Sequence, residues 1–160
     1  MSEVKRSLDQ LVKVMFDTNA FDKLLSYIPK LSRLVGRVEY YITDIQICEL
    51  AKIPDDRKEI RLNNIRSLCA LRPYLVSVPF TFDCINFSKF SFKTETSYEM
   101  ILNETHSNRN DALIAAAAIH EGCILVTDDT RLIKRVLQSG NQAITFDIFI
   151  GKYLETDFQE

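Results

Sequence analysis

The chain has 160 residues, 46% of them hydrophobic and 26% charged, with a net charge of −2. These values suit a soluble globular chain with one core and exclude a disordered acidic tail; a nucleic-acid partner would need local basic patches or bound cations, since no overall positive field draws one in. Cys48, Cys69, Cys84 and Cys123 show no C-x-x-C spacing and neither histidine completes a zinc set, which points to reduced, mostly buried thiols in a cytoplasmic protein, while the longest apolar run, 112–119, is too short to cross a membrane.

The whole of 1–160 reads as one domain with a polar lead-in at 1–9. "LVKVMF" at 11–16 is short, apolar and Val-rich, and predicts a buried strand. A helix is expected from residue 18 to about 35, with Asp17 near its N-cap and a kink or break at Pro29. "RVEYYIT" at 37–43 predicts a second strand. "TDIQ" at 43–46 is a capping box that starts a helix at once, carrying Ile45, Cys48 and Ile53 inward and containing Glu49. Pro54 and the acids after it open a further helix that ends before Pro73, and "YLVSV" at 74–78 predicts a third strand. The aromatic-rich span 79–96 reads as extended, and 97–105 as a short helix. A helix over 110–122 stops at Gly122, "CILVT" is a fourth strand, a helix follows to Gly140, "QAITF" is a fifth strand, and 147–155 closes as a short helix. Strands alternating with helices throughout predict an α/β fold, a parallel sheet of four to five strands covered on both faces. Ligands of such sheets bind beyond the C-terminal ends of the strands.

Carboxylates accumulate at that edge. Asp17 directly follows the first strand, and is either a helix cap or a site residue. Asp128 and Asp129 follow the fourth strand; one suffices as a cap, and the repulsion between neighbours asks for a second use. Asp111 lies in the first turn of its helix, where it favours the helix dipole or faces the strand ends, and an alanine-rich body lets that helix lie close to the sheet. Glu49 sits among apolar neighbours, either at the edge of a buried face and paired with Lys52, or in a site. Four elements delivering acids to one edge without lysine or arginine partners imply a cation, and oxygen-only donors suit Mg2+ or Mn2+.

With these residues the chain resembles the PIN-domain nucleases. The segments "FDTNAF" (16–21), "TDIQICEL" (43–50), "NDALIAAAA" (110–118) and "LVTDD" (125–129) carry the resemblance in the expected order. It implies a three-layer α/β/α sandwich and an acidic Mg2+ or Mn2+ site that hydrolyses phosphodiesters. Asp17, Glu49 and Asp111 match the first three acidic positions. The fourth usually reads T-x-D, which selects Asp129 with Asp128 as second choice, and Asn19 and Thr127 match supporting polar positions. The implied activity is that of an endoribonuclease, with products bearing 5′-phosphate and 3′-hydroxyl ends. Many small members are VapC-like toxins, which implies an antitoxin partner and a homodimer. Arg109, beside Asp111, is the candidate phosphate contact; Arg57, Lys58, Arg61 and Arg66 read better as a solvated helix face, and Phe80, Phe82, Phe87, Phe90 and Phe92 as packing rather than base stacking. The alternative function is a PIN-fold module that binds nucleic acid or protein without cutting. A D-x-D phosphatase is disfavoured by Asn19, and a P-loop by the lack of any glycine-rich stretch.

Overall fold

The computed structural model describes residues 11–34, 36–78 and 109–155. The Val-rich run after residue 11 forms the central strand β1 (Val12–Phe16), flanked by β2 (Val38–Thr43) and β4 (Ile124–Val126), with β3 (Tyr74–Val76) and β5 (Ala143–Ile144) at the edges. The order is β3-β2-β1-β4-β5 and every pairing is parallel, with Val14 opposite Tyr40 on one side and Ile124 on the other. All five strands expected from the sequence are present.

Side-chain alternation along the strands divides the core in two. Val14 and Phe16 of β1, Tyr40 and Ile42 of β2 and Val126 of β4 point to one face, where Leu24, Leu31, Leu71, Phe146 and Phe149 cover them. Met15 and Leu125 point to the other, beneath Ala112–Ala118, Leu132 and Val136. The first cluster is aromatic: Phe16 stacks on Tyr40 at 5.8 Å between centroids and meets Phe149 edge-on at 5.2 Å. Fully burying each such ring contributes about 1.5–3 kcal/mol.

The covering helices on the alanine-rich face are α5 (Arg109–Glu121) and α6 (Thr130–Gln138). Small side chains at 112 and 115–118, each at most 1% exposed, seat α5 on the sheet, and Gly122 ends it with φ +69°, a left-handed conformation that costs glycine little. On the opposite face lie α1 (Phe21–Leu24), α2 (Ile28–Leu31), α4 (Lys58–Leu71) and α7 (Phe146–Ile150), the last running into a π-helical turn, Gly151–Glu155. The result is the expected three-layer α/β/α sandwich.

Three expectations are corrected. The helix expected over 18–35 is a series of short α and 3-10 segments, Thr18–Ala20, α1, Leu25–Tyr27, α2 and Ser32–Leu34. Pro29 stands at the start of α2, where its missing N–H costs nothing; inside a continuous helix it would remove a hydrogen bond and clash with the preceding turn. In α3 (Asp44–Ala51) the capping box forms as expected, Thr43 and Gln46 bonding reciprocally, and Ile45 and Ile53 pack against the core as expected, but the fully buried residues are Gln46 and Leu50 and not Cys48. Gln46 also donates from Nε2 to the Phe16 carbonyl, so a satisfied amide takes the interior and Cys48 is exposed. Of the described thiols, Cys48 and Cys69 are exposed and Cys123 is buried, which differs from the expectation of mostly buried cysteines. Helix α4 buries Asn64 and Ser67 beside Leu71, while Ile60, Leu62 and Ile65 are exposed. The lead-in 1–9, the aromatic span, the short helix expected over 97–105 and Cys84 lie outside the described residues.

Candidate active site

Asp17 leaves the sheet at the C-terminal end of β1, its N–H bonded to the Val126 carbonyl of β4 at 2.9 Å. It is only 2% exposed. It caps the 3-10 turn Thr18–Ala20: Oδ1 accepts from the Thr18 N–H at 2.7 Å, and Oδ2 accepts from the Thr127 hydroxyl at 2.9 Å. Burial above all pushes its carboxyl above the usual carboxylate range. The bonds from Thr127 and Thr18 oppose that shift, and the negative charges of Glu49 and Asp129 add to it. Cap and site residue, the two uses open to Asp17, are therefore not exclusive.

The same two threonines tie in two further acids. The Thr127 hydroxyl, fully buried, also accepts from the Asp129 N–H at 3.1 Å. Asp129 caps α6, its Oδ1 accepting from the N–H groups of Arg131 at 2.8 Å and Leu132 at 3.2 Å. Glu49, half-buried on α3, accepts from the Thr18 hydroxyl on Oε2 at 2.6 Å and from the Asn110 amide on Oε1 at 2.7 Å. Lys52 is not its partner. A hydrogen-bonded chain thus runs Asn110, Glu49, Thr18, Asp17, Thr127, Asp129, and every donor in it is neutral. Among the described residues no lysine or arginine pairs with Asp17, Glu49 or Asp129.

Asp128 is disposed differently. Its Oδ2 meets Lys23 Nζ at 2.6 Å and its Oδ1 accepts from the Phe146 N–H at 3.1 Å. The hydrogen bond from Lys23 holds its carboxyl below the usual range. The expectation that no acid at this edge has a basic partner is corrected on this point, because the chain turn after Thr127 sends the two neighbouring side chains to different elements. Asp111 stands half-buried in the first turn of α5, next to Asn110. Asn19 is exposed on the turn after Asp17. Arg109 opens α5, with its side chain outside what is described. Of the basic face on α4, Arg61 is occupied locally, bonding the Ile53 carbonyl and Asp55, each at 2.7 Å.

All the donors are hard oxygens, which suits Mg2+ or Mn2+ in kind. Among the described residues no three carboxylates lie close enough to ligate one ion together. Mg2+ tolerates this, since it commonly keeps several waters and takes only one or two carboxylates directly. Sequence reasoning missed Thr18, Asn110 and Lys23. The first two are sequence neighbours of acids singled out there, and only that adjacency pointed to them.

The profile of the PIN domain matches residues 11–136. Among solved structures, PAE2754 from Pyrobaculum aerophilum has a TM-score of 0.59 at 16% identity, over 90% of this chain and 98% of that one. VapBC2 from Rickettsia felis, bound to a DNA fragment from their promoter, has a TM-score of 0.57 at 21% identity, over 85% of this chain and all of that one. At these identities both show the fold alone. No curated protein sequence matches the chain.

Proposed function

The chain belongs to the PIN domain family, and on that premise we propose that it is an Mg2+- or Mn2+-dependent endoribonuclease, one domain over 1–160, working in the cytoplasm as the toxin of a toxin–antitoxin pair. The observation that carries this reading is the buried Asp17, crowded by Glu49 and Asp129 and held, among the described residues, only by neutral donors. Three acids that have no basic partner among the described residues suit a cationic ligand.

A divalent ion bound there activates water and offsets charge on the scissile phosphate. Asp17, Asp111 and Asp129 are the proposed ligands, direct or through water, and Glu49 holds a water or a second ion. Thr127 keeps Asp17 and Asp129 in fixed relation through its single hydroxyl, Asn19 supports the turn, and Arg109 contacts the phosphate chain. Asp128, bound to Lys23, serves as an anchor between α1 and α7 rather than as a ligand.

The exposed free thiols of Cys48 and Cys69 suit a reducing compartment. No helix among the described residues is long and apolar enough to cross a membrane. The VapBC2 assembly supports an antitoxin partner, and the outward Ile60, Leu62 and Ile65 offer apolar surface for a homodimer.

The test is cleavage of single-stranded RNA by the purified protein. Activity is expected with Mg2+ or Mn2+ and is expected to vanish in chelator; undiminished cleavage after complete metal removal overturns the mechanism. A second reading, a module that binds without cutting, is favoured by the spacing of the acids, no three of which, among the described residues, lie close enough to hold one ion together. RNA binding without cleavage in either metal would select it.

A further inference from the structure

Glu49 sits on a helix, in α3, rather than directly after a strand as Asp17 does. A glutamate on a half-buried helix face has three rotatable bonds and several accessible orientations. Here both carboxylate oxygens are taken. Thr18, on the turn after β1, donates to one at 2.6 Å, and Asn110, in the first turn of α5, donates to the other at 2.7 Å. Thr18 also touches Asp17, whose Oδ1 accepts from its backbone N–H at 2.7 Å. One residue therefore sets the relation between two acids, through its main chain on one side and its hydroxyl on the other.

The chemistry of the donors matters. A lysine could hold Glu49 equally well, and the structure contains such a pair at Lys23 and Asp128. It would also cancel the charge. A hydroxyl and an amide fix the carboxylate and leave its charge available. The arrangement resists the repulsion between Glu49 and Asp17 without removing the field that attracts a cation.

We propose that Thr18 and Asn110 are positioning residues for Glu49, neutral donors that clamp its carboxylate beside Asp17 so that this side of the site meets a divalent cation already formed. The inference rests on the metal-dependent reading above. A purely structural role, in which the two bonds only dock α5 and α3 onto the first turn, would affect melting and little else.

The experiment compares wild type with Thr18→Val, which keeps the shape and removes the hydroxyl, Thr18→Ser, which restores it, and Asn110→Ala. Each is titrated with Mn2+ by calorimetry, melted without metal, and assayed on RNA for kcat and KM separately. Thr18→Val is expected to bind Mn2+ about 10–100-fold more weakly, the usual effect of removing a group that orients a metal ligand. Its kcat should fall while KM for RNA holds. Thr18→Ser should return both to near wild type, and Asn110→Ala should show a smaller loss of the same kind because its bond is exposed. Lowered melting with unchanged Mn2+ affinity, or a loss that serine does not restore, overturns the proposal. If Thr18→Val fails to fold, Asn110→Ala decides by the same criterion. Wild type that neither binds Mn2+ nor cuts RNA overturns the nuclease reading itself and the clamp with it; wild type that does both beside an equally competent Thr18→Val overturns the clamp alone.

Discussion

Strands β1 and β2 run side by side, and their two ends are built on different electrostatic plans. At the N-terminal end Lys13 stands in register with Glu39. Lys13 donates to the Glu121 carbonyl at 3.3 Å and lies over the Tyr41 ring at 5.4 Å, and the Tyr41 hydroxyl donates to Glu39 at 3.0 Å. Opposite charges share this end, and Lys13, Tyr41 and Glu39 each find a partner. At the C-terminal end the partners of Asp17, Glu49 and Asp129 among the described residues are hydroxyls, an amide and main-chain N–H groups. A protein that balances charge at one end of a strand pair and leaves it unbalanced at the other spends stability at the second end, where open parallel sheets bind their ligands. Asp128 sharpens the contrast within a single turn: it lies beside Asp129 in sequence and is neutralised by Lys23.

The largest effect expected from breaking this contrast is at its centre. Asp17→Asn keeps the shape and removes the buried charge. RNA cleavage should fall to background, while the metal-free protein melts at the wild-type temperature or above. A variant that melts lower and still cuts would make Asp17 a cap and nothing more.

The pH dependence of stability separates the same alternatives. Burial, and then the neighbouring acids, raise the Asp17 carboxyl in the folded state. The folded metal-free protein therefore holds that proton more tightly than the unfolded chain does. The stabilisation this gives is complete below the unfolded pKa and is lost as pH rises through the raised folded value. Melting curves across that window should show wild type losing ground to Asp17→Asn as pH rises. A gap that does not change with pH would mean that the charge is not strained.

Next come the two neighbouring aspartates. Asp129→Ala loses both the α6 cap, about 0.5–2 kcal/mol, and RNA cleavage. Asp128→Ala should lower the melting temperature slightly, by an amount that shrinks in high salt as the exposed Lys23 pair is screened but keeps the part due to the Phe146 N–H bond, and leave cleavage at the wild-type rate. Equal loss of activity in the two variants would merge their roles.

The smallest effects belong to the balanced end. Lys13→Met should leave cleavage unchanged. Burial pushes the Cys123 thiol up to about 12, so thiol reagents at mildly alkaline pH should modify Cys48 and Cys69 in the native protein and reach Cys123 only on unfolding. Mass spectrometry of the labelled peptides reads this directly, and rapid native labelling of Cys123 would contradict the packing of that end.

Much of the molecule was legible in the sequence because its signals are short. Val-rich runs gave the strands, "TDIQ" gave the capping box at Thr43, and Gly122 marked the end of α5. Asp17 could be set at a strand end because it directly follows an apolar run, and Asp129 because it comes within three positions of one; those patterns depend on residues a few positions apart. What tertiary structure alone decided depends on residues far apart. Glu49 meets Thr18 across 31 residues and Asn110 across 61, and Lys23 reaches Asp128 across 105. No local pattern states which of two adjacent aspartates turns toward a lysine on another helix, or that a helix buries Gln46 and exposes Cys48. Those outcomes follow from the order in which the parallel strands lie: β4 pairs with β1, and so brings Thr127 within hydrogen-bond reach of Asp17, 110 residues earlier in the chain.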